Sequence, residues 1–306
     1  MLAECFYWIV NMSIAASVTG LAVLAVRAVK ALPRRFAVLL WAAPCVRMLV
    51  PFGIGSRYSL MSLISRLTTR TVTVYSPVEG VELSVTNSLM GAKTYFPVTY
   101  KSEGLKRVFE IGGIIWAVIA AGGAVALLLI YHSVKKEIKD AVLLENNVYL
   151  SEKVTSPAVY GVIRPKIILP APYAEKDLRY ILLHENAHIR RADNLWRMIG
   201  FFTAAIHWFN PLSWLFLRVF LSDLETACDE RAVSELNDTE RSEYARTLLD
   251  TAAGKDVFVS AFGGAAVRTR IERIVSYKRL TAVSAAVFAA MVFAVLYFLI
   301  TNAKGV

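Results

Sequence analysis

His184-Glu185-Asn186-Ala187-His188 lies in a run, Ala174 to Arg191, whose spacing predicts a helix. Residues four apart on a helix share a face, so both imidazoles can reach one metal ion. Glu185 between them is close enough to act as a general base on a metal-bound water. Two ligands, a base and an open coordination position are the parts of a zinc peptidase. The chain has only four histidines, and two of them fall at this spacing. The bland alternative is a buried helix whose histidines are satisfied by neighbours.

The surroundings of this helix are those of a membrane protein. The 306-residue chain is 56% hydrophobic, too apolar for an ordinary soluble domain. Four stretches approach the roughly 20 apolar residues that cross a bilayer core. They are Cys5–Val26, Phe36–Ile54, Ile111–Tyr131 and Thr281–Ile300. The second carries Pro44, Arg47 and Pro51 and is the least regular. The first lacks the basic start of a signal peptide and reads as a retained span.

Lysine and arginine crowd three flanks. Arg27, Lys30, Arg34 and Arg35 follow the first stretch, Lys135, Lys136 and Lys139 the third, and Arg268 to Arg279 precede the fourth. With four spans, all three flanks fall on one side, which is then cytoplasmic. The N-terminus, the loop 55–110 and the tail 301–306 are expected outside. The formal charge of +10 follows from this bias and calls for no direct nucleic-acid partner, though a basic face also suits anionic lipid. Three cysteines, two in expected spans, make no disulfide framework.

The expected organisation is two spans in 1–54, an outer loop 55–110, a span 111–131, a cytoplasmic peptidase domain 132–279, and a last span with a short tail, 280–306. In the outer loop, Thr71–Tyr75 and Val81–Val85 flank Pro77 and Gly80, a pattern that fits a hairpin or a plain loop. In the cytoplasmic part, Ala158–Pro170 is β-rich but broken by Pro165, which fits an edge strand. Such an edge either pairs with an extended substrate or simply closes a small sheet. Asn210-Pro211 reads as a helix cap and first helical residue, with the helix running to about Leu236. The segment 195–221, with Trp196, Trp208 and Trp214, is expected on the inner membrane surface; a fifth span is the competing reading.

The charged half of that helix contains Glu225 and Asp229, four apart on one face. Glu225 can supply the third ligand, and Asp229 can hold the free ring nitrogen of a ligand histidine. Cys228 on an adjacent face is the rival ligand, and a solvated acidic face is the plain alternative. His207 is a candidate oxyanion stabiliser, or else a membrane-surface histidine beside Trp208.

These residues, with Arg190-Arg191-x-Asp193, Trp208-Phe209-Asn210-Pro211, Val159–Pro170 and Arg270-Ile-Glu-Arg273, resemble the BlaR/MecR-type membrane metallopeptidases. The resemblance covers nearly the whole chain. It implies a mainly α membrane protein: four transmembrane helices and a cytoplasmic zincin-like, gluzincin-type α+β peptidase domain. It implies zinc held by His184, His188 and Glu225, with Glu185 catalytic and Asp229 behind the ligands. It implies a multi-pass protein of the cytoplasmic membrane that acts as an antirepressor protease on a winged-helix repressor, on itself, or on both. The β-lactam sensors of that family carry a penicillin-binding domain after the fourth span, whereas this sequence stops six residues after Ile300. The input signal is therefore expected through the outer loop or a separate sensor partner, with a homodimer also open. A housekeeping membrane protease of the HtpX or CAAX-endopeptidase type and a non-catalytic scaffold are the other function classes.

Overall fold

The computed structural model describes residues 1–29, 31–64, 103–171, 178–253 and 267–303. The expected hairpin of the outer loop, and the first residues of the expected zinc helix, lie outside these. Three long apolar helices frame the molecule: α1 (Leu2–Arg27), α4 (Glu103–Glu137) and α10 (Ala282–Ile300). They are the three helices among the described residues that are long and apolar enough to cross a membrane. At 1.5 Å per residue, the 35 residues of α4 extend about 50 Å, well beyond a ~30 Å hydrocarbon core.

The expected second span differs. Its residues form two short helices, α2 (Arg34–Leu40) and α3 (Ala42–Leu49). Pro44 sits in the first turn of α3, where its missing N–H costs nothing but where it cannot continue a preceding helix. Neither piece alone spans a bilayer core. After α3 the chain extends to β1 (Gly55–Ser56), which pairs in parallel with β6 (Asn302–Ala303). Buried Arg47 joins the same end, donating to the carbonyls of Leu299 and Thr301 at the close of α10.

One apolar cluster binds this part together, with Val23 of α1, Leu40 of α2, Trp41 between α2 and α3, Phe216 of α7 (Pro211–Val233) and Val292 of α10. The approach of α1 and α7 requires Gly20, since a Cβ there would lie 2.2 Å from the Phe216 ring. Polar groups tie the same helices. The Asn210 side chain caps α7 through the Leu212 N–H at 3.0 Å, as its sequence predicts, and donates to Ser13 and Ser17 of α1.

Between α4 and α10 lies a small mixed sheet, β2 (Val142–Glu145), β3 (Val148–Ser151), β4 (Ala158–Tyr160) and β5 (Lys166–Pro170). Its order is β2-β3-β5-β4, with only β3 and β5 parallel. Pro165 therefore falls in the β4–β5 turn, not within a strand. Gly161 turns that corner at φ +89°, a conformation open to glycine.

α5 (Leu178–Arg190) lays Ile181, Leu182 and Ile189 on this sheet. Its other apolar side, with Tyr180, meets α7 and α8 (Asp238–Ala253). The chain reverses from α5 into α6 (Asp193–Ile206) at Ala192, which is left-handed at φ 52°. That conformation costs a non-glycine residue roughly 1–2 kcal/mol. The sharp reversal brings Asp193 back against His188. A short helix α9 (267–275) completes the ring of elements around the site.

Candidate functional site

α5 carries His184, Glu185 and His188, and α7 carries Glu225 and Asp229. The two His Nε2 atoms lie 3.2 Å apart. Glu225 faces both, with Oε2 3.6 Å from His184 Nε2 and Oε1 3.7 Å from His188 Nε2. These three ligand atoms form a group able to hold a metal ion. Two neutral imidazoles and one carboxylate fit the nitrogen-and-oxygen donor set of a divalent metal.

Each ring is fixed from behind. His184 Nδ1 lies 3.2 Å from Asp229 Oδ1 and 2.8 Å from the Tyr244 hydroxyl. The Tyr244 hydroxyl donates to Asp229 at 2.7 Å, and Arg270 holds both Asp229 oxygens, at 2.6 and 2.9 Å. His188 Nδ1 lies 2.8 Å from Asp193 Oδ2. Carboxylates on both Nδ1 atoms leave both Nε2 atoms to the metal side, the arrangement that fixes a ligand histidine's tautomer and raises its basicity.

The electrostatics follow from burial and pairing. Burial works against a charged His184, yet the carboxylates of Asp229 and Glu225 outweigh it and raise the ring to about 10. Burial likewise opposes ionisation of Glu225, but the two histidines and Arg270 hold it well below the usual carboxylate range. Asp229 is lowered too, because the Arg270 guanidinium overcomes its burial. Arg197 adds a contact to Glu225 Oε1 at 2.5 Å. The Cys228 thiol is pushed far up, first by burial and then by Asp193 beside it.

The geometry separates the rival ligands. Cys228 Sγ sits 3.1 Å from His188 Nδ1 and 3.0 Å from Asp193, on the far side of the ring from His184. His188, Asp193 and Cys228 are the second group that could hold a metal, but all three are buried and none but His188 reaches the cleft. Glu225 faces an open cleft of about 220 Å³, lined by His184, Glu185, His188, Arg197, Tyr244 and Arg270.

His207 is not brought there. It is fully buried in the α6–α7 turn, and its Nε2 bonds the Met48 carbonyl of α3 at 3.0 Å. Its solvent-free seat pushes the ring towards the neutral form, and of the two readings offered for it the oxyanion role has no geometric basis. The cations of the cleft lining are Arg197 and Arg270. Sequence reasoning also assigned no role to Asp193, Tyr244, Arg197 and Arg270 at the site. Only Asp193 and Arg270 left a local trace, as parts of the Arg-Arg-x-Asp and Arg-Ile-Glu-Arg stretches.

Of the stretch Ala158–Pro170, expected as one edge strand, only β4 lies at the sheet's edge, while β5 is paired on both sides; β4 reaches the cleft. Ser156, Pro157, Ala158 and Val159 line it opposite α5. Farther along, the outward carbonyls of Val159 and Gly161 accept from the Asn194 side chain, at 2.9 and 3.0 Å.

A helix-borne histidine pair faced by a carboxylate helix, beside membrane-spanning helices, defines a membrane metallopeptidase. The chain belongs to the BlaR1 peptidase M56 family, whose model matches residues 7–276. Among curated proteins it is similar to the regulatory protein BlaR1 of Bacillus licheniformis, 31% identical over 128 residues, 40% of this chain and 21% of that protein. It is similar to the methicillin resistance mecR1 protein of Staphylococcus aureus strain Mu50, 29% identical over 103 residues, 32% of this chain and 18% of that one. It also matches BlaR1 of Staphylococcus aureus, 27% identical over 146 residues, 45% and 24% of the two chains. The matches thus span about a fifth of the length of these relatives.

Proposed function

We propose that this protein is a zinc-dependent endopeptidase of the cytoplasmic membrane that transduces a signal by cleaving a cytoplasmic repressor, itself, or both. The observation that carries this reading is the convergence of His184 Nε2, His188 Nε2 and the Glu225 carboxylate at the floor of a cleft that also holds Glu185. Family membership and the regulatory relatives support it. This reading takes α2 and α3 together as the second of four crossings; the lysine and arginine flanks then favour a cytoplasmic cleft and an outer N-terminus.

His184, His188 and Glu225 hold the metal, and Asp229 and Asp193 keep the rings turned to it. Zinc, when bound, supplies Lewis acidity towards the scissile carbonyl and acidifies water. Glu185 takes a proton from the attacking water and returns it to the leaving amine. An extended substrate pairs with the first residues of β4, since Asn194 already occupies the carbonyls beyond. A winged-helix repressor is the substrate class this reading favours.

The test is a Glu185→Gln copy, which keeps the side-chain shape and removes the proton acceptor. Cleavage is expected to fall at least ~10²–10⁴-fold while zinc stays bound. Comparing the cell's cleaved proteins with and without this copy identifies the substrate. Cleavage within a few-fold of the unaltered protein contradicts the role of Glu185.

A further inference from the structure

A second cavity, of about 240 Å³, lies between α2, α3, α6 and α7 and shares no lining residue with the metal cleft. For scale, an apolar cavity of ~150 Å³ in a small protein admits benzene. Its walls are apolar, with Val38, Met48, Ile199, Phe216, Phe220 and Leu224 among them. Three polar side chains of the wall are satisfied by partners elsewhere. Thr203 donates to the Ile199 carbonyl, Ser213 to the Asn210 carbonyl, and the Trp41 indole to Asp223.

The cavity opens at a rim where Leu39 and Trp196, both lining it, are about half exposed, at 52% and 44%. Arg191 and Asp193 line the same end, Asp193 one turn before Trp196 on α6. Arg191 is loosely engaged, 3.5 Å from Asp193 Oδ1 and 3.6 Å from Cys228 Sγ. A guanidinium so placed can still take a bidentate anionic partner. The helices bounding the cavity pack on α1 and α10, which are long and apolar enough to cross a membrane. The feature is therefore an apolar slot beside spanning helices, with a cation at one end.

We propose that this slot binds one acyl chain of an anionic phospholipid, whose phosphate pairs with Arg191. Burying a row of methylenes away from water is the driving force that an apolar slot offers such a chain. The charge at its end selects an anionic over a zwitterionic head group. The phosphate end then lies beside the Arg191–Asp193 contact, and Asp193 is the residue that holds His188, so the lipid reaches the wall behind the metal centre.

The test uses the full chain in lipid nanodiscs with a phosphatidylglycerol that carries a photoreactive diazirine at its acyl terminus. Adducts are expected to concentrate on 38–48 and 196–204, and to be competed by unlabelled phosphatidylglycerol more than by phosphatidylcholine. Ala42→Phe, which fills the slot, is expected to lower those adducts at least tenfold. Ala204→Leu serves the same purpose from α6 if the first variant fails to fold. Arg191→Gln is expected to keep the adducts and abolish the preference for the anionic lipid. Adducts spread evenly over α4 and α10, or undiminished in a folded filled variant, overturn the proposal. So does labelling of the slot by a photoreactive free fatty acid but not by the phospholipid.

Discussion

Two acid pairs on α7 meet opposite fates. Glu225 and Asp229 face the histidines of α5, and Asp223 and Glu230 face the start of α2. Asp223 and Glu225 are about 200° apart around the helix, while Asp223 and Glu230, seven residues apart, return to one face. Asp223 is 1% exposed, with Arg27 at 2.8 Å, Arg34 at 3.8 Å and the Trp41 indole at 2.9 Å. Glu230 accepts from the backbone N–H groups of Arg34 and Arg35, at 2.8 and 3.0 Å, and so caps α2. Every oxygen of this second pair is spoken for by groups that stay put. Glu225, by contrast, has a third of its side chain open to a cleft and two ring nitrogens before it. Burial and charge pairing alone do not mark a site. The mark is a set of ligand atoms that converge while one side stays open. The two pairs still share one helix, so the clamp on the α1–α2 turn also sets where Glu225 stands.

The comparison breaks most easily at Asp223. Asp223→Ala leaves Arg27 and Arg34 without their carboxylate in a buried place, and is expected to cost about 3 kcal/mol of stability. Thermal unfolding of the protein in detergent reads this directly. The zinc content of the folded fraction is expected to stay unchanged. Zinc loss without loss of stability would mean that the clamp belongs to the metal centre.

Asp229→Asn is the complementary change, and its expected effect is smaller and of another kind. It weakens the hold on His184 Nδ1 and on Arg270, lowering zinc affinity about 10–100-fold. Competition with a chelator of known affinity measures it. An equal effect from Asp223→Asn would erase the distinction between the two faces.

Taken per pH unit, the pH dependence is the smallest of the three. The metal needs a neutral His184, whose proton is held up to about 10 in the metal-free arrangement. Zinc therefore displaces a proton, and its affinity is expected to fall as pH falls, roughly tenfold per unit below that value. Calorimetry in buffers of different ionisation heat counts the proton released. Affinity flat across the neutral range would show that Asp229 and Glu225 do not raise His184.

Much of the site was legible because its central residues repeat at helical spacing within single elements. His184, Glu185 and His188 occupy one turn of α5, and Glu225 and Asp229 one turn of α7, so periodicity alone set each group on a face. The cap at Asn210-Pro211 and the edge strand at Ala158 were equally local. What the sequence hid depends on contacts far along the chain. Arg270 reaches Asp229 across 41 residues, and Asp223 meets Arg27 across 196. His207 misled because its neighbours in sequence, Trp208 and the end of α6, give no hint that the ring turns to Met48. The second apolar stretch is long enough in composition for a span, but Pro44 and the turn at Trp41 divide it into α2 and α3.

The central claim is that Glu225, and not Cys228, completes the metal site. Metal analysis of the purified protein by mass spectrometry tests it in Glu225→Ala and Cys228→Ala. The account predicts one zinc per chain in the unaltered protein and in Cys228→Ala, and its loss in Glu225→Ala. Stoichiometric zinc in Glu225→Ala, with loss in Cys228→Ala, would contradict it.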